Sequence, residues 1–494
     1  MKRKIYTIFN ISSYLLIILG VILLIPIGVA RLYGEEINIH YSFIIPSILS
    51  LLTGVILKIS MKSKNLKLDI TTSMIAVAIA WVVSSIIGAL PLMLGLNVGF
   101  IDALFESVSG FTTTGITVLQ GLEYMPKSLI FWRCLMQWLG GLGILTFFLL
   151  ISTRFGVNLW QLFSAESHKI NTSRPVPNIY KTIKILWSIY ILFTFLEIIL
   201  LVIFKMPLFE AVIHSFTSLS TGGFSNYDSS IGHYAQSGHP YFRQIEYIIT
   251  FFMLLGGINF LIHYKVLTGD FKAPFKNVEV KEFMKIIFLF TFIILLGKSV
   301  VETDIFMNFE SKFRKVLFQV VSIITTTGFG TEYIGSPFFP VIGKQLFLVL
   351  MLIGGCVGST AGGIKVLRVV ILKRLFKREV KKIYYPDHAV LPVTLERNII
   401  DAQEIYRITA LFFAWLFLIF VGAGITTLFS DLNAIQSLSG MFSAVGNIGP
   451  FYFSVEKMAS LSPVIKITYI IGMLAGRLEI LPLFILFSKK SWKS

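Results

Sequence analysis

Four short stretches of this sequence combine glycine with small hydroxyl side chains, a chemistry suited to holding a dehydrated cation. They read Ser109-Gly110-Phe111-Thr112-Thr113-Thr114-Gly115-Ile116, Ser218-Leu219-Ser220-Thr221-Gly222-Gly223-Phe224, Ser322-Ile323-Ile324-Thr325-Thr326-Thr327-Gly328-Phe329 and Ser443-Ala444-Val445-Gly446-Asn447-Ile448-Gly449-Pro450. Aligned on Gly115, Gly222, Gly328 and Gly449, they recur at intervals of 107, 106 and 121 residues, so one unit is used four times. Glycine lets a loop turn successive backbone carbonyls toward one axis, through dihedral angles that other residues resist. Flanking hydroxyls add oxygens or brace the loop. A ring of carbonyl oxygens replaces the hydration shell of a monovalent cation and holds a small, strongly hydrated divalent ion poorly. A single Thr-Thr-Gly is an ordinary turn; four glycine loops at matching places in four repeats, three of them Ser/Thr-Thr-Gly and the fourth Asn447-Ile448-Gly449, are not. The candidate cation-binding residues are Thr113, Thr114, Gly115, Ser220, Thr221, Gly222, Thr326, Thr327, Gly328, Asn447, Ile448 and Gly449.

The elements that must position these loops lie in lipid. Hydrophobic residues make up 55% of the 494 and charged residues 14%, with a mean hydropathy of +0.80. A soluble chain of this size needs more polar surface. Apolar runs of about 20 residues, the length that spans a bilayer, predict helices near 5–30, 40–60, 70–96, 128–153, 180–204, 244–266, 283–301, 344–372, 405–429 and 464–488. Met1-Lys2-Arg3-Lys4 before the first run resembles a signal peptide, but the run is long and lacks a small-residue cleavage pattern, which predicts a retained first helix. Between pairs of long helices come half-apolar segments too short to span, such as Asp102 to Phe111 and Phe209 to Leu219. They read as re-entrant pore helices. Irregular backbone at membrane depth survives only where protein buries it or it lines a watery cavity, a condition four converging loops satisfy together. The predicted fold is therefore an all-α polytopic membrane protein. It has four membrane–pore–membrane repeats around one pore plus two extra N-terminal helices, about ten membrane helices and four re-entrant loops in all. The predicted boundaries are 1–68 for the N-terminal pair, then 69–168, 169–276, 277–390 and 391–494 for the repeats.

The net charge of +17 is a topological signal rather than a nucleic-acid surface. The side holding the N-terminus and alternate connections carries 30 of the 43 Lys and Arg but 10 of the 26 Asp and Glu. This positive-inside bias places both termini in the cytoplasm. The basic run from Lys365 to Lys382 reads as a topology anchor touching anionic lipid, with docking of a cytoplasmic partner as an additional role. Cys134 and Cys356, the two cysteines, have no metal-ligand or disulfide spacing and read as small packing residues. No phosphate loop or dinucleotide fingerprint is present. No paired carboxylates, metal cluster or nucleophile–base pair suggests an enzyme.

With these motifs in place, the chain resembles the Trk/Ktr/HKT superfamily of cation transporters, closest to its bacterial TrkH/TrkG branch. The four loops are similar to that family's selectivity filter, over roughly residues 70 to 488. Three further stretches are similar to its second helices: Trp138-Leu139-Gly140-Gly141-Leu142-Gly143, Gly354-Gly355-Cys356-Val357-Gly358-Ser359-Thr360-Ala361-Gly362-Gly363-Ile364-Lys365 and Gly476-Arg477-Leu478-Glu479-Ile480. The two helices before residue 70 look like the pair the Trk branch adds. The resemblance implies potassium uptake across a bacterial plasma (inner) membrane. The ion would bind at Thr114, Gly115, Thr221, Gly222, Thr327, Gly328, Ile448 and Gly449. In some plant relatives serine replaces the first filter glycine and sodium is preferred, so Gly115 favours potassium. The resemblance also implies a homodimer and a TrkA-like cytoplasmic subunit that binds the regulatory nucleotide; no organic cofactor is expected on this chain. One departure is Pro450-Phe451, where the family pattern has glycine after the proline. A sodium-permeable or ion-coupled symporter on the same scaffold is the alternative function.

Five glycines among the ten residues 354–363, each costing about 1 kcal/mol in a helix relative to alanine, argue against a continuous helix there. The stretch reads either as close small-residue helix packing or as an intramembrane loop beneath the filter, which is what the resemblance implies. The candidate gate is Gly354, Gly355, Gly358, Ser359, Thr360, Gly362 and Gly363 with Arg477. Arg477 lies near the middle of the last predicted helix, where a charge costs at least about 2.5–3.5 kcal/mol on insertion scales. It reads as a carbonyl brace or an ion pair, with Glu479 a geometrically poor partner two residues away. The resemblance aims it at the pore below the filter. Only the third repeat is expected to have a broken second helix. Glu197 and Lys298 are expected to pair or snorkel. Glu106, Glu210 and His214 are expected on pore helices, attracting cations at the outer mouth or making local hydrogen bonds. His263 is expected at a helix interface.

Overall fold

The computed structural model describes residues 2–60, 69–143, 146, 179–301, 308–386, 389–396 and 398–493. The predicted boundary at 168/169, and residues 144–145 and 147–153 of the predicted fourth helix, lie outside them. The chain opens with α1 (Lys2–Ile22), α2 (Ile25–Leu32) and α3 (Ile37–Ser60). α1 and α3 approach closely at Gly20 and Gly54, and Ser47 and Ser50 each donate to a carbonyl of α1, Gly20 and Leu16, at 2.7 Å. Small residues and hydroxyls are the means by which helices associate in lipid, where apolar contact alone gives no preference for protein.

Four units of one plan follow. The first has α4 (Ile70–Leu96), a short α5 (Phe100–Phe111) and α6 (Lys127–Gly141). The second has α7 (Ile179–Ile203), a short α8 (Leu208–Leu219), then α9 (Phe242–Gly257) and α10 (Phe260–Leu267). The third has α11 (Val278–Val301), α12 (Phe309–Ile324), α13 (Val341–Ile353) and α14 (Val366–Lys382). The fourth has α15 (Ala402–Leu428), α16 (Ala434–Gly446), α17 (Pro463–Arg477) and α18 (Leu481–Phe487). Starts are capped where the chain enters from water: Asp69 accepts from the Thr72 N–H at 2.6 Å, and Asn433 with Gln436 forms a capping box.

Among the described residues, six spans are long and apolar enough to cross a membrane, and two bent pairs bring the number to eight. Of the remaining predicted spans, α6 meets the undescribed segment and α13 is followed by the glycine-rich break. α4 is the interior helix: 72% of its apolar window is buried, against 28–44% for the other five spans. The outer helices instead present Phe195, Phe288, Phe292, Phe413, Phe417 and Phe420 outward, a surface suited to lipid and too apolar for water.

The expectation of a single broken second helix is corrected. α9 and α10 meet at 103°, and α17 and α18 at 119°. α6, α9 and α17 each carry, as the last residue but one, a glycine tucked under the short helix before it: Gly140, Gly256 and Gly476. A Cβ on Gly140 or Gly476 would fall on the carbonyl of Phe111 or Val445, and one on Gly256 would lie 2.9 Å from that of Leu219. One or two glycines do not break a helix by propensity alone. The breaks come from the overlying loop, joined at α17–α18 by the left-handed residues Glu479 and Ile480, at φ 53° and 69°.

Candidate functional site

The short helices α5, α8, α12 and α16 contain 12, 12, 16 and 13 residues. At about 1.5 Å per residue they fall short of a hydrocarbon core of about 30 Å. All four end in the same Schellman turn. The N–H groups of Thr114, Gly222, Thr327 and Ile448 reach back five residues, to the carbonyls of Ser109, Thr217, Ser322 and Ser443, at 2.8–3.0 Å. The residue before each is left-handed: Thr113, Thr221, Thr326 and Asn447 have φ of 54–57°. Helix C-termini carry partial negative charge, so four of them ending at one place favour a cation there.

This turn fixes the register of the loops and corrects one alignment. Two residues after the left-handed position come Gly115, Gly223, Gly328 and Gly449, with φ of 79°, 76°, 85° and 114°. In the second loop the equivalent glycine is thus Gly223; Gly222 occupies the place of Thr114, Thr327 and Ile448. The four glycines close a ring. A Cβ added to Gly115 would fall on the Gly222 carbonyl oxygen, one on Gly223 on that of Thr327, and one on Gly328 on that of Ile448. At Gly449 it would lie 3.2 Å from the Thr114 oxygen. Each loop therefore abuts the next through a glycine, and at Gly115, Gly223 and Gly328 there is no room for a side chain.

The expected hydroxyls mostly brace. Thr112 bonds Thr114 at 2.7 Å and Thr325 bonds Thr327 at 2.8 Å. The Asn447 amide donates to the Thr114 hydroxyl at 2.8 Å and to the Met473 carbonyl at 2.9 Å. The hydroxyls of Thr221 and Thr326 instead meet the layer below, and that of Thr113 accepts from Arg477.

That layer is the segment 354–365 between α13 and α14. Gly354, Gly358 and Gly363 adopt φ of 74–78°, and the chain folds as an irregular loop rather than a packed helix. It is stitched to α9: the N–H groups of Cys356 and Thr360 donate to the carbonyls of Gly257 and Gly256, at 2.9 and 3.2 Å. It also touches the ring above. The Gly362 N–H donates to the Thr326 hydroxyl at 2.6 Å, and the Thr221 and Thr360 hydroxyls lie 3.2 Å apart. Arg477, at the end of α17, spans three elements. One guanidinium nitrogen reaches the Thr113 hydroxyl at 3.2 Å and the Thr360 carbonyl at 3.0 Å; the other reaches the Gly141 carbonyl at 2.8 Å and that of Gly140. Glu479 bonds Arg368 at 2.5 Å. A cavity of about 130 Å³ opens beside this contact, lined by Trp81, Trp187, Ser359, Lys365, Arg477 and Glu479 among others.

Glu279, at the start of α11, was not foreseen. One of its oxygens accepts from the Val357 N–H at 2.7 Å and the Leu367 N–H at 3.1 Å, pinning the loop to the start of α14. Glu279→Ala is expected to lower the thermal unfolding midpoint of the detergent-solubilised protein, since each orphaned buried N–H costs about 1–3 kcal/mol. Glu279→Gln, which keeps an acceptor, should recover most of the loss.

The other embedded polar residues make local bonds. Glu106 forms a fully buried ion pair with Arg133 at 2.5 Å, so its carboxylate is not at the outer mouth. Glu210 accepts from Tyr227 and Tyr234 at 2.8 and 2.5 Å, and His214 bonds the Ser225 hydroxyl at 3.1 Å. Ser218 donates to Glu197 at 2.5 Å, and Lys298 donates to the Phe338 carbonyl at 2.8 Å. His263 bonds the Leu255 carbonyl at 2.9 Å and stacks edge-on with Phe193 and Phe260. Cys134 and Cys356 are buried free thiols.

Residues 39–494 match the TrkH family, described as cation transport protein. The chain belongs to this family. An uncharacterized cation transporter of Methanocaldococcus jannaschii is 34% identical over 498 residues, covering 100% of this chain and 97% of that protein. The Trk system potassium uptake protein TrkH of Salmonella typhimurium is 32% identical over 422 residues, 84% of this chain and 85% of that one. The crystal structure of the potassium transporter TrkH from Vibrio parahaemolyticus superposes with a TM-score of 0.86 at 28% identity, covering 99% of both chains. This TrkH-family chain is therefore a multi-pass membrane transporter, and the ring and its underlying loop lie within the region that defines the family.

Proposed function

We propose that this chain carries potassium into the cell through the centre of the four-loop ring. The observation that carries this reading is the closed ring, in which each loop's glycine abuts the carbonyl of the residue before the glycine in the next. Four chemically similar carbonyls at the C-terminal ends of four helices form a site for a dehydrated monovalent cation. Potassium is the ion named for the Salmonella typhimurium and Vibrio parahaemolyticus relatives, and Gly115 stands where a serine would favour sodium. The ion contacts are the backbone oxygens of Thr114, Gly115, Gly222, Gly223, Thr327, Gly328, Ile448 and Gly449; the corrected register replaces Thr221 and Gly222 by Gly222 and Gly223 in the second loop. The loop 354–365 is the gate and Arg477 its latch: it bonds the ring, the loop and the end of α6 at once.

The chain sits in the plasma membrane with both termini in the cytoplasm, as a homodimer. A separate TrkA-like subunit supplies nucleotide control, docking on the cytoplasmic face near the basic helix α14. Purified protein in liposomes tests the central claim. Rubidium uptake should be displaced by potassium and not by sodium; sodium uptake in its place would overturn it.

A further inference from the structure

The four loops are not equivalent at the residue before the ring glycine. Loops one and three carry Thr114 and Thr327, whose hydroxyls bond back to Thr112 and Thr325, and loop four carries Ile448. Loop two has Gly222, with no side chain to brace it. The space is filled from outside: a Cβ built on Gly222 would overlap the carboxamide of Gln137. Gln137 lies on α6, is fully buried, and binds the loop with both ends of its amide. Its nitrogen donates to the Gly222 carbonyl at 2.6 Å, and its oxygen accepts from the Phe224 N–H at 3.0 Å.

The carbonyls that face a ring glycine are those of Thr114, Gly222, Thr327 and Ile448. Among the described residues, Gly222 alone has its carbonyl held by a side-chain donor. One turn earlier on the same face of α6, Arg133 holds α6 in place. It pairs with Glu106 on α5, donates to the Ser225 carbonyl at 3.3 Å, and lies 4.2 Å over the Phe224 ring. Glu106 in turn accepts from Thr117 at 3.0 Å and from the Val118 N–H at 3.2 Å. Residues four apart on a helix share one face, so Arg133 and Gln137 form one bracket between the outer strands of loops one and two.

We propose that Gln137 is a specificity-determining residue that sets the position of the Gly222 carbonyl in the ring. The assignment rests on the conduction reading above. A carbonyl ring discriminates between ions by the spacing and field of its oxygens. A released Gly222 peptide can tilt inward and accommodate the smaller sodium ion. Gln137 touches no ion itself; it acts through Gly222 and is a positioning residue.

The test compares rubidium and sodium uptake by the full chain in liposomes. Gln137→Leu, close in volume and without donor or acceptor, is expected to lower the rubidium-to-sodium flux ratio at least about tenfold while cation flux persists. Gln137→Ala should do the same. Gly222→Thr added to Gln137→Ala should regain part of the ratio, because a threonine there can bond the Ser220 hydroxyl as Thr114 bonds Thr112. A purely structural role would lower both fluxes together and leave the ratio unchanged. A ratio within about twofold of the unmodified chain in Gln137→Leu overturns the assignment alone. If Gln137→Leu does not fold, a ratio within about twofold of the unmodified chain in Gln137→Ala overturns it. An unmodified chain that does not discriminate overturns the conduction reading and this assignment with it.

Discussion

Gly223→Ala should abolish potassium-selective uptake, with a loss of at least about a hundredfold in the rubidium-to-sodium flux ratio or of conduction altogether. Two costs combine at this position. At φ 76° an alanine is held in the left-handed region, which costs about 1–2 kcal/mol. Its methyl would also fall on the Thr327 carbonyl oxygen, so the third loop must move. A shift of about 1.4 kcal/mol is already a factor of ten, and displacing a ring oxygen changes ion binding directly. Gly115→Ala and Gly328→Ala meet the same two costs and should behave alike. Gly222→Ala should be milder, because its obstruction is the Gln137 side chain and its backbone is not left-handed. If Gly222→Ala proves the more damaging of the two, the register read from the helix ends is wrong.

Arg477→Ala is the second large effect. Its guanidinium holds the Thr113 hydroxyl, the Thr360 carbonyl and the end of α6, so it ties the ring, the loop and a neighbouring helix. Charge-assisted hydrogen bonds contribute about 1.5–3 kcal/mol each, and the loop must give up its bond to Arg477 in order to move. Losing that bond should raise flux in the absence of any regulatory subunit by about tenfold or more. Arg477→Lys should fall between, since one ammonium cannot span three acceptors as a planar fork does. Unchanged partner-free flux in liposomes from Arg477→Ala would remove the latch role. The same result would leave Arg477 as a carbonyl brace for the α17–α18 break.

Much of this arrangement is legible in the sequence because lipid leaves few options. A four-fold recurrence of hydroxyl-glycine motifs after helices too short to span has one economical meaning, and the pore helices end where the motifs begin. A glycine-rich stretch of ten residues predicted a broken helix, and 354–365 is a loop. An arginine within an apolar run predicted an interior partner, and Arg477 has several. The failures are equally specific. Gly222 and Gly223 are adjacent and chemically identical, so spacing alone cannot say which completes the ring. The back-bond from Gly222 to Thr217 decides it. The α9–α10 and α17–α18 breaks were missed because one or two glycines are weak local signals. Arg133 and Gln137, polar residues four apart in an apolar helix, were the available sign of the bracket.

The Ser/Thr-Gly loops thus divide in what fixes them. By itself the sequence determined their number, the short helices that precede them and the family they belong to, because periodicity and hydropathy are properties of the chain alone. Only the tertiary structure decided which glycine in loop two meets the third loop, which carbonyl Gln137 holds, and what Arg477 ties together. Those contacts join residues 85 to 364 positions apart. Such pairs are set by the close approach of four separately folded repeats, and local pattern carries no record of them.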